Sequence, residues 1–391
     1  MKVLLLTHTY PTHSAPWTTP FIANFGQALA DQPGVDVHVV LPTADRFIGS
    51  GLTFHPFPYR GQISHKGIGK APDAVGRLDQ LKFLVAGLQK VIEVCRGENI
   101  DLVHAHWSIP SGLIARLNQL CTGTPYVVTT HGRDVLNCPE VGYTVPSEPL
   151  LGRAVRRVLQ AACGVIVTSP ITEESTRRLA PKAKTFRIPV GLNEEFVLGG
   201  EEIPGREGIV FVGDFVPLKG IDRLIKTVSR SPKLRSTPVT IIGDGPERAT
   251  YERLCGEQGL NNIKFIGFVS PDRIRSYMEA AKAFAFVSHI EAFGIVLLEA
   301  LAAGLMLVGS STGALPDLRQ LPALSNRIIE VPGDGEIFLR GLQQGLEQSL
   351  ESYSPLPEEA KRVLLEQYTW PSIARSHVGY FQRICHDQKP S

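Results

Sequence analysis

Glu299 is the only charged residue in Gly294–Gly304 (Gly-Ile-Val-Leu-Leu-Glu-Ala-Leu-Ala-Ala-Gly). A helix that is apolar on every side is a buried helix. A carboxylate inside it is costly unless it is hydrogen-bonded, paired or facing a cavity. Glu299 is therefore either a structural acid paired with a distant Lys or Arg, or an acceptor for ligand hydroxyls. Just upstream, the β-rich run Phe284–Val287 leads into a loop carrying Glu291, and a helix pattern begins near Phe293–Gly294. A helix start after a parallel strand offers backbone N–H groups and a positive dipole end to an anion. Gly294 would let that backbone come close to a ligand, whereas Glu291 alone could be a surface acid or cap. Lys219 stands at another helix start, where the dipole disfavours a cation. A bound anion would explain it; the plain alternative is a solvated lysine.

The first half has its own chemistry-bearing positions. Tyr126–Asp134 reads as a strand running into a His-Gly turn, which places the His131 imidazole at a strand's carboxyl end, with Asp134 bracing the turn or the ring. In Asp101-Leu-Val-His-Ala-His106 the two histidines are two apart and share a face, but no third ligand for a metal is visible. Between the first strand and a helix starting at Pro20 lie Trp17, Thr18 and Thr19, whose hydroxyls would cap that helix or meet an anion, capping being preferred.

The elements that must position these residues alternate strand and helix. Short apolar β-rich runs fall at 2–6, 36–41, 101–105, 125–130, 163–168 and 184–189, with helical patterns such as 79–95 and 109–120. A second set has strands near 208–213, 238–243, 262–267, 283–287 and 305–309 and helices near 219–230, 246–258, 271–282 and 294–303. Such alternation means parallel sheets covered on both faces, whose ligands sit beyond the carboxyl ends of the strands. The expected organisation is a domain over 1–190, a Gly- and acid-rich linker over 191–206, a second domain over 207–370 and a last helix over 371–391, with Pro371 in its first turn.

Composition narrows the class. A net charge of +2 over 391 residues argues against a nucleic-acid binder. Residues 1–190 carry 19 Lys+Arg against 13 Asp+Glu, the remainder 21 against 25, so the first half is the one suited to an anion. The six cysteines show no metal-like spacing and read as reduced thiols. The opening MKVLLLTHTYP reads as a buried first strand, and no apolar run approaches bilayer length. The expectation is a cytoplasmic protein whose only membrane contact, if any, is peripheral.

Glu291-Ala-Phe-Gly-Ile-Val-Leu-Leu-Glu299 resembles the E-x7-E signature of the retaining glycosyltransferases of family 4, which usually reads EGFG where this chain has EAFG. Further matches follow in order: Phe211–Gly220 is similar to the strand–loop–KG segment, Ile241–Pro246 to the GDGP turn, Ile263–Val269 to the strand and base-facing loop, Gly313–Asp317 to the GG-x-PE turn and Tyr368–Trp370 to the aromatic-Trp entry to the last helix. His131-Gly-Arg-Asp134 resembles the HG-x-D motif. The resemblance implies a GT-B fold: two Rossmann-like α/β domains facing across a cleft, with the C-terminal helix packing back on the first. It implies a nucleoside-diphosphate sugar as donor substrate, an acceptor hydroxyl on a sugar, lipid-linked or small molecule, no cofactor and no metal. Glu291 would hold donor-sugar hydroxyls, Glu299 the ribose, and the backbone at Phe293, Gly294 and Ile295 the diphosphate. Lys219 would neutralise the leaving group, Phe268 and Val269 flank the base, Gly213 and Asp214 border the donor, and His131 reach the donor sugar. Trp17, Thr18, Thr19, His106 and Arg133 would lie on the acceptor side.

Three departures stand out. Asp214 occupies the place of an arginine that shares the diphosphate in relatives, leaving Arg133 or, less favourably, Lys226 to substitute. Trp17-Thr18-Thr19 replaces a Gly-Gly pair, and Ile188-Pro-Val-Gly191 a PNG turn. The Gly/Pro-rich stretch 51–77, with Arg60, His65, Lys66, Lys70 and Arg77, reads as a basic mobile loop; with Arg153, Arg156 and Arg157 it suggests a membrane-facing patch. A sugar-nucleotide epimerase on the same fold and a two-lobed binding protein are the competing readings.

Overall fold

The computed structural model describes residues 1–13, 18–42, 47–58, 77–139, 145–199 and 205–387. They form two compact units: the described part of Met1–Gly191 together with Trp370–Asp387, and that of Leu192–Thr369.

The first unit contains β1 (Lys2–Leu6), α1 (Pro20–Ala30), β2 (Asp36–Pro42), β3 (Leu52–Phe57), α2 (Arg77–Glu98), β4 (Leu102–His106), α3 (Leu113–Thr122), β5 (Tyr126–Thr129), α4 (Pro149–Ala161), β6 (Gly164–Val167), α5 (Pro170–Leu179) and β7 (Thr185–Arg187). Its seven strands are all parallel, in the order β3-β2-β1-β4-β5-β6-β7. β1 and β4 are each buried on both faces, which is why they read as unbroken apolar runs rather than alternating ones. β3 was expected to be part of a loop. Pro56 and the glycines before it suggested a break, but a strand at the sheet edge tolerates proline because its outer N–H positions need no partner.

The second unit contains α6 (Glu194–Leu198), β8 (Ile209–Val212), α7 (Ile221–Arg230), α8 (Pro232–Arg235), β9 (Val239–Ile242), α9 (Arg248–Glu257), β10 (Ile263–Gly267), α10 (Pro271–Ala280), β11 (Ala283–Phe286), α11 (Ile295–Ala302), β12 (Met306–Ser310), α12 (Leu315–Gln320), α13 (Pro322–Ser325), β13 (Ile328–Val331), α14 (Gly335–Glu351) and α15 (Glu358–Tyr368). Its six parallel strands run β10-β9-β8-β11-β12-β13. Helix α9 starts at Arg248, not at Pro246 as expected, because the Asp244–Glu247 turn is pinned to Phe215 by two backbone bonds, Phe215 N to Asp244 O (2.9 Å) and Glu247 N to Phe215 O (3.1 Å).

The last helix, α16 (Trp370–Asp387), belongs to the first unit. Trp370, Ile373, Ala374, Phe381 and Ile384 pack into a core shared with Ile22, Phe25 and Leu29 of α1. In both sheets strand order reverses at the centre, between β1 and β4 and between β8 and β11, so each unit has one switch point, the place where open parallel sheets of this kind take their ligands.

Candidate functional site

In the second unit the loops after β8 and β11 meet at the switch point. Gly220 has φ of +64°, and a Cβ there would lie 2.2 Å from the Val287 carbonyl oxygen, so only glycine permits the two loops to touch. His289 N–H donates to the Leu218 carbonyl (2.9 Å), and the Glu291 N–H to the Thr312 hydroxyl (3.1 Å). The buried Arg223 on α7 donates to the Val287 and Ser288 carbonyls (3.2 and 3.5 Å), reaches Asp334 at 3.0 Å, and lies 3.4 Å from the centre of the Phe338 ring. The loop bearing Glu291 is thus held by an arginine that sequence reasoning did not single out. Its position beside the apolar stripe Ile221, Leu224, Ile225 and Val228 was the only available signal.

Gly294, with φ of +82°, caps α11, whose first-turn N–H groups have no carbonyl within the helix. Lys219 lies in a short 3-10 turn before α7 rather than on the helix. Its Nζ is 2.5 Å from Glu291 Oε2, so the two groups expected to serve leaving phosphate and sugar are an ion pair. Asp214 opens to solvent, yet the surrounding protein raises its carboxyl above the ordinary range, Glu291 adding to this and Lys219 opposing it. Three charges of net −1 therefore share this corner when both acids are ionised. Lys226 is engaged with Asp222 (2.8 Å).

Glu299 sits within α11 between the buried Leu298 and Ala300. It has no hydrogen-bond or ion-pair partner among the described residues, and burial alone pushes its carboxyl up to about 7. The alternative of a structural acid locked to a protein cation is not what is seen. Phe293 is buried, its carbonyl accepting from Ala314 N–H (2.8 Å), while Ile295 is partly open. Phe268 is 64% exposed and Val269 partly so, just past β10.

The first unit gathers imidazoles at the carboxyl ends of β4 and β5. His106 Nδ1 and His131 Nε2 are 3.0 Å apart, the rings stacked at 5.2 Å. His104 Nε2 meets the Thr129 hydroxyl at 2.7 Å, and His377 of α16, which the sequence did not flag, donates from Nδ1 to the Ile373 carbonyl (2.8 Å). Burial, reinforced by neighbouring imidazoles, lowers His131 to about 3; burial lowers His377 to about 4. His104 and His106 fall well below 6.5 for the same reasons, so the cluster is neutral at pH 7. Asp134 accepts from the Ser108 and His131 N–H groups (2.9 and 3.2 Å), fixing the His-Gly turn. A cavity of about 30 Å³ is lined by His106, His131, His377, Thr129, Thr168 and Trp370 among others.

Several acceptor-side expectations change. His106 is 3% exposed and its Nδ1 meets the ring of His131, so it is a buried neighbour of that ring rather than an open acceptor-side group. Thr19 does not cap α1: with φ of +46° its hydroxyl turns to Thr9 (3.3 Å), and Thr18 precedes it in a bend. Arg133 is exposed in the turn after His131. Trp17, Arg60, His65, Lys66 and Lys70 lie outside the described residues. Among the described residues no three His, Cys, Asp or Glu side chains converge as a metal site, the six cysteines are free, and no helix is long and apolar enough to cross a membrane.

Comparisons with known proteins join these halves. Residues 18–191 match the family model "Glycosyl transferase 4-like domain", and residues 199–363 the model "Glycosyl transferases group 1". An uncharacterised glycosyltransferase of Methanocaldococcus jannaschii is 26% identical over 317 residues, covering 77% of this chain and 80% of that one. Sucrose-phosphate synthase from Thermosynechococcus elongatus superposes with a TM-score of 0.77 at 20% identity, covering 99% and 100% of the two chains. Anabaena HepE, solved in complex with UDP-glucose, gives a TM-score of 0.70 at 17% identity, covering 98% and 100%.

Proposed function

Because this chain belongs to the family-4-like glycosyltransferases of GT-B fold, we propose that it is a retaining, metal-independent enzyme that moves a sugar from a nucleoside diphosphate to an acceptor hydroxyl. The observation carrying the donor assignment is Glu299, a carboxylate without a protein partner in an otherwise apolar helix at the switch point. Two ribose hydroxyls would supply the donors it lacks. The α11 first turn would take the diphosphate, with Phe268 against the base. That a structural neighbour, HepE, was solved in complex with UDP-glucose supports a nucleotide sugar as the donor.

Lys219 would exchange part of its pairing with Glu291 for the diphosphate, which frees Glu291 to accept from donor-sugar hydroxyls. The C1–O bond to the diphosphate breaks, the acceptor oxygen bonds to C1 on the face the leaving group departs, and the acceptor proton passes to a phosphate oxygen. Lys219 and the helix start stabilise the charge that develops. No cofactor enters this scheme. Retention is tested by NMR of the product anomer once a donor is found: an inverted anomer refutes it. The donor is found by thermal shift with nucleoside diphosphates and nucleotide sugars on the parent and Glu299→Ala; a stabilising nucleotide whose effect is unchanged in the variant refutes the ribose assignment.

A peripheral membrane contact fits α4. Arg153, Arg156 and Arg157 are exposed opposite the buried Val155, Val158 and Leu159, and Leu150 is 81% exposed at its start. Replacing the three arginines by glutamine is expected to reduce sedimentation with anionic vesicles; equal sedimentation removes the membrane from the proposal. With such a surface the enzyme would work at the cytoplasmic face.

A further inference from the structure

On the first unit a groove of about 430 Å³ runs between the end of β7 and the outer face of α16, sharing Ile188 and Pro189 with the cavity beside His131. Phe186, Arg187, Ile188 and Pro189 form one wall, and Arg375, Ser376, Gly379 and Arg383 the other. Arg375, Gly379 and Arg383 are spaced i, i+4, i+8, so they line one face of the helix over about 12 Å. The middle position is glycine, and a Cβ built there meets nothing within 4 Å, so the space between the two arginines is open.

Each guanidinium is held in place. Arg375 Nη2 donates to the Ser372 hydroxyl at 2.7 Å. Arg383 lies 5.1 and 5.8 Å from the Phe186 and Tyr380 rings, which are themselves stacked 4.4 Å apart at 6°. Arg187, opposite, donates from Nε to Glu173 at 3.0 Å. Arg375 and Arg383 have no ion-pair partner among the described residues, and each guanidinium carries five donors. Two positioned, uncompensated cations at the ends of a concave gap favour an anion on electrostatic grounds, the charge of Arg187 across it being met by Glu173. Guanidinium donors arriving from the two ends of the gap can reach different oxygens of one phosphate. A phosphomonoester also carries nearly two charges at pH 7.

We propose that this groove binds a phosphomonoester, seated over Gly379 between Arg375 and Arg383. The group is carried either by a soluble metabolite or by a phospholipid headgroup. The test is calorimetric titration of the full chain with inorganic phosphate and glucose 6-phosphate, and sedimentation with phosphatidylcholine vesicles with and without phosphatidic acid. Two variants accompany the parent: Arg375→Gln/Arg383→Gln, which removes the charge, and Gly379→Leu, which fills the floor at unchanged charge and with better helix propensity. Saturable binding of a soluble phosphate, weakened at least about tenfold in both variants, supports a metabolite. Sedimentation that needs phosphatidic acid and falls in both variants supports a headgroup. Absence of binding by every probe, or binding that Gly379→Leu leaves unchanged, overturns the proposal, the latter by showing diffuse charge attraction. Since no readout involves sugar transfer, these results stand apart from those that test the enzymatic reading.

Discussion

In the proposed donor site, Glu299 gives one titration that can be followed. Its carboxyl is raised from 4.5 to about 7 by burial, so the folded chain holds this proton more tightly than the unfolded one. The contribution to stability is therefore full below about 4.5 and lost as pH rises towards 7, a change on the order of 3 kcal/mol. Glu299→Gln, which keeps the neutral shape, is expected to melt with the parent at pH 5 and several degrees above it at pH 8; equal melting at both values would mean the carboxylate has a partner after all. Ribose hydroxyls need the ionised acceptor, so nucleotide binding should strengthen as pH rises through 7 and release a proton. Calorimetry in buffers of different ionisation enthalpy reads that release directly, and Glu299→Gln should abolish it. A residue whose presence lowers the stability of the unliganded fold and improves binding is the expected signature of a site rather than a core position.

At the scale of elements, the loop bearing Glu291 depends on contacts from outside itself. Arg223 joins α7, the end of β11 and Phe338 of α14. Arg223→Lys keeps the charge but not the planar fork. It should cost about 3 kcal/mol, from two hydrogen bonds to a charged group and the ring contact, and raise the KM for the donor as the Glu291 loop loosens. A lowered melting point with an unchanged KM would confine Arg223 to the core. These long-range contacts mark where sequence reading stops. Alternating strand and helix patterns revealed the two parallel sheets, and the glycine and lone acid of Gly294–Glu299 revealed the candidate donor helix, because periodicity and local composition are short-range properties. Arg223, His377 and the Lys219–Glu291 pair come together across 65, more than 270 and 72 residues respectively, counted from the Ser288 carbonyl, His104 and each other, so no window contains them. β3 and the uncapped Thr19 were misread for a related reason: the sheet edge and Thr9 decide them, not their own neighbours.

For the whole molecule, the chain's last helix decides which unit can stand alone. Leu192–Thr369 forms a continuous span with its own six-stranded sheet and core. The first unit closes only when α16 returns, because Trp370, Ile373, Phe381 and Ile384 complete the core around Phe25 and Leu29. At about 1.5–3 kcal/mol for each large apolar side chain buried, these four contribute roughly 6–12 kcal/mol, as much as the whole stability of a typical domain. Residues 192–369 expressed alone should therefore unfold cooperatively and retain the nucleotide found by thermal shift. Residues 1–191 alone should expose their core and bind a hydrophobic dye, and joining 370–387 to them through a flexible linker should restore a cooperative transition. Cooperative unfolding of 1–191 without the helix would show that α16 covers a core already sufficient by itself, and its histidine would then lie against the imidazole cluster as packing rather than as part of what holds it.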